Sequence, residues 1–187
     1  MFDGTPAPVE ERQQLQAIVA VFNGEFASMD TVLCPGAEEP YYQPAQHGEP
    51  AKIFSRENFP ASALHEVAHW CIAGEARRKL PDFGYWYAAD GRNAAQQRAF
   101  QQVEVKPQAI EWAFSRAIGI PFRVSIDNLN GEAVDPFGFE LAVWQQACRY
   151  YQCGLPPRAA QFCRALEQFF GRSSPAPELM RLRGELG

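Results

Sequence analysis

The pattern of apolar and polar residues predicts a mostly helical chain. Between positions 9 and 27, four apolar residues recur at the intervals of a helix: Leu15, Ile18, Val19 and Phe22. This spacing places them on one helical face, so an amphipathic helix is predicted to open the fold. Two further helices are predicted near the C-terminus, over about residues 137–153 and 157–170.

A proline-bearing stretch follows the first predicted helix. Residues 31–50 contain four prolines: Pro35, Pro40, Pro44 and Pro50. Proline lacks a backbone N–H and interrupts regular structure, so these residues predict an irregular loop. The short apolar segment AKIFS, residues 51–55, then predicts a strand.

The next predicted helix covers residues 61–78. Asn58 and Pro60 are typical of a helix start, because proline is tolerated in the first helical turn. Pro81 is expected to end the helix. Three cations near that end complement the helix dipole: Arg77, Arg78 and Lys79.

A longer amphipathic segment, residues 93–118, carries Pro107 near its middle. Its 3.6-residue period predicts either one helix kinked near Pro107 or two consecutive helices. Residues 120–129 predict a short strand or an extended loop. Together the elements indicate an α+β fold, mostly helical with a small sheet.

The length suits one globular domain over residues 1–187. Residues 1–8 and 172–187 are expected to be loosely ordered ends of that domain. No secretory signal and no apolar run long enough to span a membrane is recognisable. We therefore expect a cytoplasmic protein without a membrane partner.

Charge and cysteine content narrow the function classes. The chain has 22 acidic residues against 17 Lys and Arg, a formal net charge of -5. Nucleic-acid binders usually carry clustered cations, so we expect no nucleic-acid partner and favour a basic one. Five cysteines without a C-x-x-C pair are expected to be reduced, packed thiols: Cys34, Cys71, Cys148, Cys153 and Cys163.

The stretch ALHEVAHW in the second predicted helix carries a candidate metal site. His65 and His69 are four residues apart, with Glu66 between them. Residues i and i+4 share a helical face, so both imidazoles can reach one metal ion while Glu66 flanks it. The alternative is two packed histidines satisfied by hydrogen bonds. A shared metal meets the needs of two adjacent histidines more economically.

Two histidines leave a metal site incomplete, so a third protein ligand is expected. Glu104 and Glu111 lie seven residues apart on the long predicted helix, on nearly the same stripe. Glu104 is preferred because it lies just before the expected kink at Pro107, where a bend can aim the helix. Glu111 is the second choice, and His47, in the proline-bearing stretch, is the third.

A site of two histidines and one glutamate suits two reaction classes. In zinc metallopeptidases, Glu66 would take a proton from metal-bound water, and AKIFS would be the edge strand that aligns a peptide. With Fe(II), the same donors form the face used by non-haem oxygenases. A third reading is a metal-stabilised binding module without catalysis.

Four longer motifs resemble the bacterial elongation factor P hydroxylase family: ALHEVAHWCIAGEARRKLPDFGYWYAADGR, FQQVEVKPQAIEW, GIPFRVSIDNLNGE and GLPPRAAQFCRAL. The resemblance spans roughly residues 50–170. It implies an enzyme that adds oxygen to the modified, lysylated lysine of elongation factor P. It also implies His65 and His69 as metal ligands, with Glu104 as the carboxylate ligand.

The implied reaction favours iron over zinc. Zinc-bound hydroxide attacks polarised centres, whereas oxygen insertion at a methylene requires an oxidising metal and O2. Fe(II) is therefore the expected cofactor, although zinc is acceptable in the purified protein. The fold is expected to be zincin-like while the reaction is not. Glu66 then becomes a proton-transfer group, an anchor for a ligand, or a residue with little role.

The implied substrate side chain is cationic, and a buried ammonium needs a carboxylate partner. Four loop aspartates are candidates for this partner: Asp82, Asp90, Asp127 and Asp135. Three aromatic residues can wall the site by cation–π contact: Tyr85, Trp86 and Tyr87. Ordinary turn chemistry and core packing are the alternatives for all seven residues.

Overall fold

The computed structural model describes residues 9–84, 91–126 and 136–173. The chain divides into two compact units, with the boundary after Gly84. Five α-helices and one three-stranded sheet form within the described residues, which confirms the mostly helical α+β class. Both ends predicted to be loosely ordered lie outside the described residues, apart from positions 172 and 173.

The first unit contains two helices and all three strands: α1 (Val9–Glu25), β1 (Thr31–Ala37), β2 (Tyr41–Gln43), β3 (Ala51–Arg56) and α2 (Pro60–Ile72). α1 confirms the predicted opening helix and buries Leu15, Ile18 and Phe22. The strand order is β1-β3-β2, and β3 runs parallel to β1 and antiparallel to β2. The apolar face of α1 therefore contributes to a core shared with α2 and the sheet.

The prediction of an irregular loop over residues 31–50 is wrong, because β1 and β2 both fall inside it. β1 contains Pro35 and lies at an edge of the sheet, where a missing N–H is tolerated. The register of β1 against β3 shifts between Pro35 and Ala37, so the proline coincides with an irregularity in the strand pairing. The number of prolines could not by itself exclude a strand, because the destabilisation caused by a proline depends on whether its strand lies at the edge or in the centre of the sheet.

The AKIFS segment is a strand, as predicted, but it is not an edge strand. β3 pairs with β1 on one side and with β2 on the other. Ala51, Ile53 and Ser55 are buried in an alternating pattern, as expected for a central strand with one face on the core. The edge-strand expectation was wrong because it treated the flanking segments as loops.

The helix that carries the histidines begins as predicted but ends earlier. Pro60 occupies the first turn of α2, whereas the helix stops at Ile72 rather than at Arg78. Ala73 is extended, with φ -63° and ψ 121°, and Gly74 follows it, a residue that disfavours helix continuation. The three cations predicted for the last turn instead form a separate short 3-10 turn, Arg77–Lys79.

An aromatic cluster orients α2 within the first unit. Trp70 on α2 lies edge-on to Phe22 and Phe26, with ring centroids 5.2 and 4.8 Å away. All three side chains are fully buried, and such pairs add to the free energy gained by burial. Because Trp70 directly follows His69, this packing fixes the rotation of the helix at the histidines.

The second unit consists of three helices in its described part: α3 (Ala94–Ile118), α4 (Phe137–Cys153) and α5 (Pro157–Phe170). α4 and α5 match their predicted bounds. α3 is one helix with Pro107 inside it, so the two-helix alternative is wrong. An interior proline costs about 3 kcal/mol, but Pro107 and the residues after it are buried, and this packing offsets the local cost.

Residues 120–126, which follow α3, form neither a strand nor a helix. Gln108 on α3 donates to the Ser125 carbonyl at 2.8 Å and accepts from the Ser125 N–H at 3.0 Å. Arg92 and Gln97 both donate to the Ile126 carbonyl at 3.1 Å. Side chains of α3, together with Arg92 just before it, thus satisfy this backbone in place of a neighbouring strand.

The five cysteines are free, but only Cys71 and Cys163 are buried, and Cys153 is exposed, so the prediction that all five are packed is wrong. Their reduced state stays a prediction. None of the described helices combines the length and apolar character needed to cross a membrane. The single-domain organisation over residues 1–187 stays a prediction.

Asn93 offers a test of how α3 begins. Its side chain accepts from the N–H groups of Ala95 and Gln96, while the Gln96 side chain accepts from the Asn93 N–H, forming a capping box. Asn93→Ala removes the acceptor and is expected to lower the free energy of unfolding by about 1 kcal/mol in urea denaturation. Asn93→Asp, which keeps an acceptor, is the control. Equal stability of the Ala variant and the wild type would contradict this role.

Candidate metal centre

The two histidines of the H-E-x-x-H motif converge as helix geometry requires. α2 brings His65 and His69 together, with their Nε2 atoms 3.0 Å apart and their ring centroids 4.7 Å apart. His69 is buried and His65 is half-buried. Two ring nitrogens directed at one another are suited to share a proton or a cation.

An aromatic stack holds His69 from the side. The Phe83 ring lies nearly parallel to the His69 ring, at a centroid distance of 6.5 Å and an angle of 12°. Phe83 also stacks on Tyr42 of β2, at 4.1 Å and 16°. The imidazole is therefore placed by the sheet, through Tyr42 and Phe83, as well as by its own helix.

Phe83 lies in a strained turn, Pro81–Gly84. Asp82 and Phe83 both have left-handed backbone angles, with φ of 45° and 56°. Such angles cost about 1–3 kcal/mol in a residue other than glycine and persist only where surrounding contacts enforce them. Gly84 continues the turn at φ 72°, a left-handed backbone angle that glycine adopts without strain.

Two hydrogen bonds hold the strained turn in place, and a third holds the segment just before it. The Tyr42 hydroxyl donates to the Arg78 carbonyl at 2.9 Å, and the Tyr42 N–H donates to Asp82 Oδ1 at 2.8 Å. The Arg77 guanidinium donates to the Phe83 carbonyl at 3.0 Å. Sequence reasoning missed the roles of Tyr42 and Phe83, since no local pattern connects residues forty positions apart.

Asp82 carries a carboxylate beside the histidines. Partial burial of the Asp82 carboxyl raises its pKa above the ordinary value. The hydrogen bond from Tyr42 and the charge of His69 act in the opposite direction and lower that pKa. Asp82 therefore feels the electrostatic field of His69 while part of the residue remains exposed.

The third member of the cluster is Glu104, which lies on α3 and is 1% exposed. His65, His69 and Glu104 form a group able to hold a metal ion, with ligand atoms that all lie within 4.8 Å of one another. Glu111 is buried on the same helix, but the metal-binding group found among the described residues does not include it. His47 also falls outside that group and is exposed in a turn.

The donor set fits a divalent transition metal. Two imidazole nitrogens and one carboxylate oxygen suit both Zn2+ and Fe(II), and three protein ligands leave positions for water or substrate. Burial of His69 and Glu104 limits competing water. The donors alone do not select between the two metals.

The other predicted site residues divide into two groups. Glu66 is half-buried on α2, directly after His65. Six candidates lie outside the described residues: Asp90, Asp127, Asp135, Tyr85, Trp86 and Tyr87. Asp82 is thus the one candidate aspartate whose surroundings the structure describes.

The comparison with known proteins bears directly on this cluster. The family model for elongation factor P hydroxylase matches residues 21–179. The chain belongs to the elongation factor P hydroxylase family. An elongation factor P lysine hydroxylase of Haemophilus influenzae is 46% identical to it over 159 residues, covering 84% of this chain and 89% of the relative. The family resemblance inferred from the motifs is confirmed.

Tyr42 allows a test of how the strained turn is held. Tyr42→Phe keeps the stack on Phe83 but removes the hydroxyl that donates to the Arg78 carbonyl. The free energy of unfolding, measured by urea denaturation, is expected to fall by about 1 kcal/mol. Tyr41→Phe, at the exposed neighbouring tyrosine, is the matched control and should change little. An unaffected Tyr42→Phe variant would show that the hydrogen bond does not support the turn.

Proposed function

We propose that this protein is an elongation factor P lysine hydroxylase, an oxidoreductase that adds one oxygen atom to the modified lysine of that translation factor. The match of the family across residues 21–179 carries the proposal. Its relative in Haemophilus influenzae bears the same activity in its name. Because elongation factor P acts in translation, we assign the reaction to the cytoplasm.

We further propose that the enzyme uses a divalent metal, Fe(II), held by His65, His69 and Glu104. The grouping of these three side chains supports the assignment. A bound Fe(II) supplies the activation of O2 that oxygen insertion at a C–H bond requires and that no side chain provides. Zinc can occupy the same donors in the purified protein but does not support this oxidation.

The protein's own residues hold and shield the centre. His65 and His69 bind through Nε2 in the neutral form, so their protons must leave these nitrogens before the metal enters. Glu104 binds as the carboxylate and supplies the negative charge that a buried dication needs. The stack of Phe83 on His69 keeps the imidazole oriented when the site is empty or filled.

Glu66 receives a proton-transfer role in this proposal. It adjoins His65 on α2 and is half-buried, so its carboxylate can hold or release a proton at the edge of the site. In a peptidase the same residue would be the general base for hydrolysis. Both roles require the Glu66 carboxylate, but the hydroxylase would yield an oxidised lysine and the peptidase a cleaved peptide.

The peptidase alternative is not supported. Both the family model and the relative are named for hydroxylation. AKIFS, the strand that a peptidase would use to align a peptide, has both edges occupied by β1 and β2. We nevertheless propose a zincin-like arrangement for the fold, because the helix carrying H-E-x-x-H packs beside a small sheet within the first unit.

The partner we propose is elongation factor P carrying a cationic, lysylated lysine. The net charge of -5 supports a basic partner rather than nucleic acid. We also propose that residues 1–187 fold as one domain, which a single cooperative unfolding transition seen by two different probes would support.

Metal analysis of anaerobically purified protein tests the ligand set. His65→Ala and His69→Ala are each expected to lower metal affinity by at least about tenfold, because each removes one donor. Glu104→Ala should lose metal to a similar extent. Glu111→Ala is the matched control, a buried glutamate on the same helix that should keep its metal. Greater loss in Glu111→Ala than in Glu104→Ala would transfer the third ligand to Glu111.

Mass spectrometry of elongation factor P tests the reaction. In cells that express the wild-type protein, the modified factor should gain one oxygen atom, about 16 Da, because C–H oxidation retains the oxygen in the product. His69→Ala should abolish the gain. Cleaved fragments would instead indicate a peptidase. Binding without any mass change, maintained in Glu66→Gln, would indicate a binding module without catalysis.

A further inference from the structure

We propose that Asp82 is the carboxylate that binds an ammonium group of the lysyl modification carried by the substrate lysine, beside the histidine pair. This inference rests on the proposed function, since it requires a lysine substrate at the metal centre. It assigns a specificity role to one of four loop aspartates between which the sequence could not choose.

Position is the first support. Asp82 directly precedes Phe83, whose ring lies parallel to the ring of His69. A cationic group bound at Asp82 therefore lies next to the metal-binding histidines.

Access is the second support. Asp82 Oδ1 accepts from the N–H of Tyr42, and this bond fixes the direction of the carboxylate. In the part of the chain that the structure describes, Oδ2 accepts no hydrogen bond and no Lys or Arg pairs with Asp82. Because Asp82 is exposed, this second oxygen is available to an incoming ammonium.

The third support is that the turn does not need the charge. The bond from Tyr42 needs only an oxygen acceptor, which asparagine supplies, and asparagine adopts left-handed backbone angles as readily as aspartate. Asp82 therefore brings to this position a carboxylate that the turn itself does not require, with one oxygen left open to a cationic side chain.

Two other roles for Asp82 are distinguishable from this one. Local turn chemistry would place its hydrogen bond on its own backbone about two residues away, whereas its partner is Tyr42 on β2. A metal ligand would belong with the histidines, but the metal-binding group among the described residues is His65, His69 and Glu104. A purely structural tether to Tyr42 is the remaining rival.

Asp82→Asn tests the proposal, because it removes the charge and keeps an acceptor for Tyr42. Direct binding is measured between the metal-loaded protein and two probes: modified elongation factor P, and the same factor with its amines acetylated. The variant is expected to bind the cationic probe about tenfold more weakly than the wild type does, and the acetylated probe equally. Glu75→Gln, an exposed acid paired with Lys79, is the control with the same change in charge.

Each other result overturns the proposal in a recognisable way. Equal weakening for both probes would show a structural tether, and metal loss from Asp82→Asn would show a ligand. Unchanged binding of the cationic probe would show that Asp82 does not contact the ammonium. If the wild type itself neither binds nor oxidises the modified factor, the proposed function fails together with this inference. If the wild type binds and oxidises the modified factor and Asp82→Asn binds the cationic probe as tightly as the wild type does, only the assignment of Asp82 fails.

Discussion

The candidate site depends on the rotation of α2 about its own axis. Helix geometry places His65 and His69 on one face, but packing decides which way that face points. Trp70, next to His69, packs against Phe22 and Phe26, so the core of the first unit sets the direction of both imidazoles. Together, the i, i+4 spacing and this packing set how the two imidazoles meet, with their Nε2 atoms 3.0 Å apart.

Backbone strain is concentrated beside this helix. Asp82 and Phe83 are consecutive left-handed residues, which local preference disfavours. Contacts from Tyr42, through its hydroxyl, its N–H and its ring, hold the turn in that conformation. The strained turn thereby places an aromatic ring against His69 and a carboxylate next to it. The strained turn lowers stability locally, and it positions groups at a candidate active site.

The metal-binding donors leave the reaction undecided, because the same three side chains suit hydrolysis and oxidation. Membership of the elongation factor P hydroxylase family therefore carries more weight for function than the H-E-x-x-H pattern does. The pairing of the strands also argues against a peptidase. β3, which a peptidase would use as an open edge, is enclosed between β1 and β2. A motif shared with peptidases thus stands in surroundings that do not offer a strand to a peptide.

The sequence by itself determined the elements whose signals are local. The sequence located α1, α4 and α5, and the i, i+4 spacing predicted that His65 and His69 approach one another. Tertiary structure decided what depends on distant partners: whether Pro35 could lie in a strand, where α2 ended, and that α3 continued through Pro107. It also brought Tyr42 to Asp82, forty positions away. Propensity and periodicity act over a few residues, whereas strand pairing and burial join segments that the chain keeps apart.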